Sequence, residues 1–149
     1  MQRRALFLIL GLILSVSLTG CIFVPFIDSA RQSGLLQSDR QRLLQEEVVR
    51  FNRVRMWGKQ LQALSFAEPD SQATIRQFLV QHGKDERVVE SEIESIEFSP
   101  DAYAAIVNSR VRYYRVPYYV VEERQENQEW SFSLSGGWKI KDVEVETRG

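Results

Sequence analysis

The chain has 149 residues, 44% of them hydrophobic and 26% charged, which fits one ordinary globular domain. Nineteen basic residues oppose twenty acidic ones, a net charge of −1 that gives no field for nucleic acid. Cys21 is the single cysteine, so neither an intramolecular disulfide nor a cysteine-rich metal site can form within the chain.

The N-terminus pairs Arg3 and Arg4 with an apolar run from Ala5 to Leu18. At about fourteen residues the run is short of the ~20 that span a bilayer as a helix, and matches the h-region of a signal peptide. It ends in Leu18-Thr19-Gly20-Cys21, which resembles the lipobox of bacterial lipoproteins: an aliphatic residue, a small or β-branched one, a Gly, Ala or Ser, then cysteine. The resemblance implies cleavage between Gly20 and Cys21, a diacylglyceryl thioether on the Cys21 thiol and acylation of the freed amine. Several acyl chains hold a protein on a membrane far more firmly than one. Lipoprotein sorting adds that an Asp after the cysteine tends to retain the protein at the inner membrane. Here that residue is Ile22, which implies the outer membrane, facing the periplasm, in a Gram-negative host.

Residues 1–20 are therefore expected to be a signal peptide, 21–37 a lipidated tether and 38–149 a single α+β domain. In the tether, Pro25 and Gly34 punctuate a segment that is first apolar and then polar. A long helix is predicted from Ser38 to about Leu64, with Ser38 and Gln41 as a capping box, Asp39 in the first turn and Glu46 paired with Arg50. Leu44, Val48 and Phe51 form its apolar stripe. Beyond them the stripe drifts through Val54, Trp57, Leu61 and Leu64, as in a helix that curves over a sheet and loosens at Gly58. A second helix, capped by Asp70 or Ser71, buries Ile75, Phe78 and Leu79 and stops with Gly83 at its C′ position.

From Arg87 onward the sequence alternates polar and apolar residues, with turns at Ser99-Pro100-Asp101 and Ser135-Gly136-Gly137. Val89 and Ile93 share one parity, Ile96 and Phe98 the other. A β-bulge near Glu94 or Ser95 puts all four on one face. Across a four-residue loop, Phe98 then meets Tyr103, Ile96 meets Ala105, Ile93 meets Val107 and Val89 meets Val111, with Glu90 opposite Arg110 and Glu92 opposite Asn108 outside. Trp130, Phe132 and Leu134 share a face that continues into Trp138 and Ile140. Pro117 suits an edge, bend or crossover.

Two helices followed by a bulged antiparallel sheet, closing in a hairpin with Gly137-Trp138-Lys139-Ile140, resemble the nuclear transport factor 2-like superfamily of α+β cones. A cystatin-like helix-on-sheet arrangement is the alternative. The superfamily resemblance implies a curved sheet folded around the long helix and a pocket at the open end, where its enzymes use Asp, His or Tyr as acid and base.

Candidate chemistry is sparse. His82, at a helix C-terminus, is expected to interact with the last carbonyls. Tyr113, Tyr114, Tyr118 and Tyr119 are expected to pack as amphipathic strand residues, with no inward carboxylate beside them. Glu90, Glu92 and Glu94 read as a solvated strand face rather than a cation site. No catalytic residue, cofactor site or metal site is assigned, leaving Cys21 as the one functional residue. The expected function is a membrane-anchored, noncatalytic binding module for an envelope protein or apolar ligand. The alternative is a small cone-type enzyme, an isomerase or dehydratase acting on an apolar substrate.

Overall fold

A computed structural model describes residues 34–146. The signal sequence, the Leu18–Cys21 motif and the tether up to residue 33 lie outside the described residues. Among the described residues three α-helices precede four strands: α1 Gln37–Met56, α2 Gln60–Leu64, α3 Gln72–Gly83, β1 Glu86–Phe98, β2 Ala104–Arg115, β3 Val121–Ser133 and β4 Gly137–Glu146. The strands form an open antiparallel sheet in the order β1-β2-β3-β4, so the fold is α+β with helices first. Among the described residues no helix is long and apolar enough to cross a membrane.

Helix α1 buries Leu44, Val48 and Phe51 completely, at the helical spacing expected. Its N-cap is Leu36, whose carbonyl accepts from the Asp39 and Arg40 amides at 3.1 Å each. No side chain caps the end, so the capping box at Ser38 does not form. Arg40 accounts for the earlier start. Its guanidinium reaches back to the Gly34 and Leu35 carbonyls at 2.9 and 3.1 Å and across to those of Asp101 and Ala102 at 2.8 and 3.2 Å. Glu46 pairs with Arg42 and Glu47 with Arg50, in place of Glu46 with Arg50.

The long helix does not curve on to Leu64. At Gly58 (φ +66°) the Gly58 and Lys59 amides bond the Arg55 and Val54 carbonyls at 2.9 and 3.1 Å, a Schellman stop that only a left-handed residue completes. The drifting stripe is a break, and it leaves Trp57 and Leu61 exposed. Helix α3 follows a 3₁₀ turn, Pro69–Ser71, and buries Ile75, Phe78 and Leu79. Gly83 is its last residue, with a right-handed backbone rather than the expected C′ conformation. A Cβ there would lie 1.9 Å from the Gln60 side-chain nitrogen, so the glycine lets α3 meet the start of α2.

The bulge at Glu94 is present, and a second one ejects Val89, whose side chain is exposed. The register lies two residues from the expected one: Phe98 faces Ala105, Ile96 faces Val107, Ile93 faces Ser109 and Ser91 faces Val111. Apart from Val89, the paired side chains keep their faces because the shift is even. Its cause is the loop. Ala102 takes φ +54°, Ser99 Oγ accepts from the Ala104 amide at 3.0 Å and donates to the Asp101 carboxylate at 2.6 Å, so β2 starts only at Ala104. Tyr103 is left partly exposed outside the strand.

Strand β3 runs unbroken through the polar stretch before Trp130, and Pro117 sits in the loop between β2 and β3. A bulge at Lys141 keeps Trp138, Ile140 and Val143 on the inner face. Leu134 departs from the expected face and is exposed in the β3–β4 turn. The free edge of β4 is covered where Ile140 exchanges backbone bonds of 2.9 Å with Phe66 and Glu68.

Candidate functional site

Along β3 the inner-face parity of Phe132 and Trp130 continues to Gln128, Glu126 and Arg124, all buried. These polar residues line the end of the interior farthest from Gly34, beneath the last turn of α1 and the C-terminus of α3. Glu126 is fully buried and receives both arms of Arg55, at 2.7 and 2.8 Å, and the Arg124 Nε at 2.9 Å. Arg124 Nη1 also bonds Glu86 of β1. Arg115 reaches Glu86 at 3.3 Å and Glu122 at 3.1 Å, and the Tyr113 hydroxyl donates to Glu122 at 3.0 Å. On the other flank Trp130 Nε1 donates to Gln128 at 3.3 Å, and Gln128 donates to Asn52 at 3.2 Å. The result is one hydrogen-bonded chain from Trp130 to Glu122.

Its electrostatics are those of matched charges. Burial alone would raise the Glu126 pKa, but Arg55 and Arg124 more than offset it and hold it at about 2. Burial likewise opposes the His82 and Arg124 bonds to Glu86, and that carboxyl also lies at about 2. Tyr113 is pushed up, first by burial and then by its bond to Glu122. The cations also stack on rings, Arg124 4.7 Å from the Tyr113 centroid and Arg55 4.9 Å from that of Phe78.

His82 is not bound to the last helical carbonyls. Its ring lies 4.9 Å from that of Phe78, with Nδ1 3.1 Å from Arg124 Nη1 and 3.4 Å from Glu86 Oε2. Nδ1 either accepts from Arg124 or donates to Glu86, since Arg124 can only donate and the ionised Glu86 carboxylate can only accept. His82 and Glu86 border a small cleft with Arg55, Gln60, Phe78 and Arg87, with room of about 50 Å³. That admits water but falls far below the roughly 300–1,000 Å³ of a typical small-molecule site.

The expectation that no carboxylate points inward is therefore overturned by Glu86 and Glu126. Neither stands out in the sequence because their surroundings have the composition of a solvent-facing strand. The signal for Glu126 is parity, counted backward from Trp130. The tyrosines divide: Tyr113 joins the network, Tyr114 packs against Tyr119 at 5.4 Å, and Tyr118 and Tyr119 are exposed in the β2–β3 loop. Glu90 pairs with Arg112 at 2.8 Å, while Glu92 and Glu94 share Arg110 at 2.6 and 3.3 Å. Glu90 and Glu92 thus face Arg112 and Arg110 rather than Arg110 and Asn108. Among the described residues no group of three or more His, Cys, Asp or Glu could hold a metal ion.

No family model matches the chain, and no curated protein matches it. Among solved structures, the intermembrane space region of the chloroplast protein ARC6 aligns at 16% identity with a TM-score of 0.42, over 65% of this chain and 93% of that one. A likeness at that level carries no inference about fold family or function.

Proposed function

We propose that the protein is a lipid-anchored lipoprotein of the cell envelope whose folded part is a noncatalytic binding module, shaped as a cone of the nuclear transport factor 2-like kind. The observation that carries the noncatalytic reading is the closed interior. Where a cone enzyme needs an open pocket with a free acid or base, Glu126 and Glu86 are each held by two arginines and the cleft beside them has room of about 50 Å³. Binding then falls to the outer surface. The anchor reading rests on Leu18-Thr19-Gly20-Cys21 and the short apolar run before it. With Ile22 after the cysteine, the location is the outer membrane facing the periplasm in a Gram-negative host.

Growth with a labelled fatty acid tests the anchor. The wild type should take up label and Cys21→Ala should not; equal labelling of both overturns it. Crosslinking of the lipidated protein in intact cells tests the module, which requires a reproducible envelope partner or a bound apolar molecule.

A second reading, a small isomerase or dehydratase on an apolar substrate, is favoured by the His82 and Glu86 pair at the mouth of the cleft. It requires turnover that disappears in His82→Ala while the fold persists.

A further inference from the structure

The pole at which the described chain begins carries an apolar surface of its own. Leu35 is 57% exposed, Leu36 61%, Leu134 60% and Tyr103 40%. They come from three separate segments: Leu35, Leu36 and Tyr103 lie about Arg40, and Leu134 lies on the other side of Phe132, in a groove shared with Leu43, Glu46, Glu47 and Arg50. Arg40 binds the Gly34 and Leu35 carbonyls and lies 4.4 Å over the Tyr103 ring. The Tyr103 and Phe132 rings are 5.8 Å apart, and Leu134 follows two residues after Phe132. Gly34 is packed so closely that a Cβ on it would stand 2.6 Å from the Phe132 ring. The last residues of the 21–37 segment are thus fastened to the domain at Gly34 and Leu35, and exposed side chains lie about that point.

We infer that this pole is a membrane seat: Leu35, Leu36, Tyr103 and Leu134 rest in the headgroup region of the bilayer that holds the lipid. The inference rests on the lipid-anchored reading above. Its occupant follows from the length of chain outside the described residues and where that chain ends. Residues 22–33, which separate Cys21 from the described chain, span at most roughly 40 Å when fully extended. The seat lies at the end of that leash in every conformation, at high effective concentration near lipid. The opposite pole, with Tyr118 and Tyr119 at its tip, stands the length of β3 away, roughly 40 Å at strand rise. Standing upright on that pole, with Gly34 held away from the bilayer, would need the leash fully stretched.

Side-chain chemistry agrees with a shallow contact. Leucines bury apolar surface at the acyl boundary, and tyrosine suits the headgroup level, with an apolar ring and a polar hydroxyl. Charge at the pole is mixed, Arg40 standing among Asp39 and Asp101. The seat is therefore apolar and insensitive to salt rather than an electrostatic attachment to acidic lipid.

The experiment uses the full-length lipidated protein in phosphatidylethanolamine–phosphatidylglycerol vesicles doped with a headgroup spin-labelled phosphatidylcholine. Cys21 is the only native thiol and is blocked by its lipid, so an environment-sensitive fluorophore can be placed at Leu36→Cys or Leu134→Cys and, for the far pole, at Tyr118→Cys. The seat requires blue-shifted emission and quenching by the spin-labelled lipid at positions 36 and 134, unchanged by high salt, with aqueous emission at 118. Replacing Leu35 and Leu36 by glutamate should return the position-134 probe to aqueous emission without releasing the protein from the vesicles. Aqueous emission at 36 and 134 on a lipidated protein overturns the seat and leaves the anchor standing. Quenching at 118 alone assigns the membrane contact to the other pole and overturns it equally. Intact mass and thiol reactivity of Cys21 report separately on the anchor; a free Cys21 thiol overturns both readings.

Discussion

The interior has two halves built on different physics. Toward the pole where the chain enters, Phe51, Trp130, Trp138, Ile140 and Val107 form a mainly apolar packing in which Arg40 is the buried charge, and Phe51 meets Trp130 edge-on at 5.8 Å. Toward the far pole the same sheet face buries Arg124, Glu126 and Glu86 beneath Arg55 and His82. The first half is held by removal of apolar area from water, which tolerates changes that conserve volume. The second is held by pairing, and it is intolerant in another way. Losing one member leaves a buried charge without its partner, whereas replacing the whole set by apolar residues removes a desolvation cost along with the attraction.

The largest effects should be similar in size and opposite in how they are repaired. Trp130→Ala should cost about 3–5 kcal/mol through lost burial and a cavity. Glu126→Ala should cost a comparable amount, about 3–5 kcal/mol, because Arg55 and Arg124 stay buried without their shared carboxylate. The contrast sharpens on repair: Arg55→Met, Arg124→Met and Glu86→Leu added to Glu126→Leu should recover most of the loss, because no buried charge is then left without its partner. Denaturant melts would read each variant, and failure of the quadruple change to improve on Glu126→Ala would mean that the far half gains net stability from its charges.

Acid separates the halves next. Glu86 and Glu126 both have folded pKa values of about 2, depressed from 4.5. A depressed carboxyl contributes stability that is present above pH 4.5 and lost as the pH falls toward 2. The thermal midpoint should therefore drop across that window in the wild type and in Trp130→Ala alike, and drop less in Glu126→Gln. Equal acid slopes in all three would break the comparison.

Two glycines test whether backbone cost ignores the kind of interior nearby. Gly58 by the far half and Gly137 by the near half both have positive φ, +66° and +67°, with open space around an added Cβ. Alanine at either should cost about 1–2 kcal/mol, from the left-handed backbone alone. The smallest effect belongs outside both halves. Glu90→Ala removes a solvent-exposed pair with Arg112 and should change stability by roughly 0–1 kcal/mol.

The near half was the more legible in sequence because its signals are apolar and periodic. Leu44, Val48 and Phe51, the Trp130 and Phe132 pair and the bulge at Glu94 all follow from spacing. The bulge at Val89 left no mark, since Val88 and Val89 are both apolar and either could point inward. The register slipped by two because Ala102 takes a left-handed conformation that composition does not announce, in a loop closed by Ser99 and Asp101. At the far half the difficulty was chemical. A buried, paired glutamate is written with the same letter as a solvated one, and β3 before Trp130 is almost wholly polar. Partners such as Arg55 and Glu126 are 71 positions apart, a separation over which no local pattern speaks.

Arg40 gives the molecule a mechanical character. Its guanidinium grips the entering backbone at Gly34 and Leu35 with one set of bonds and the β1–β2 loop at Asp101 and Ala102 with another, while Trp138 Nε1 donates to its carbonyl at 2.8 Å. Tension applied through the leash is delivered at this clasp to a loop between strands, and so to the sheet, instead of peeling α1 from its first turn. Replacing Arg40 would shift the load onto the helix end, lowering the force at which the domain yields when drawn from its N-terminus more than the force when drawn between two points in the sheet.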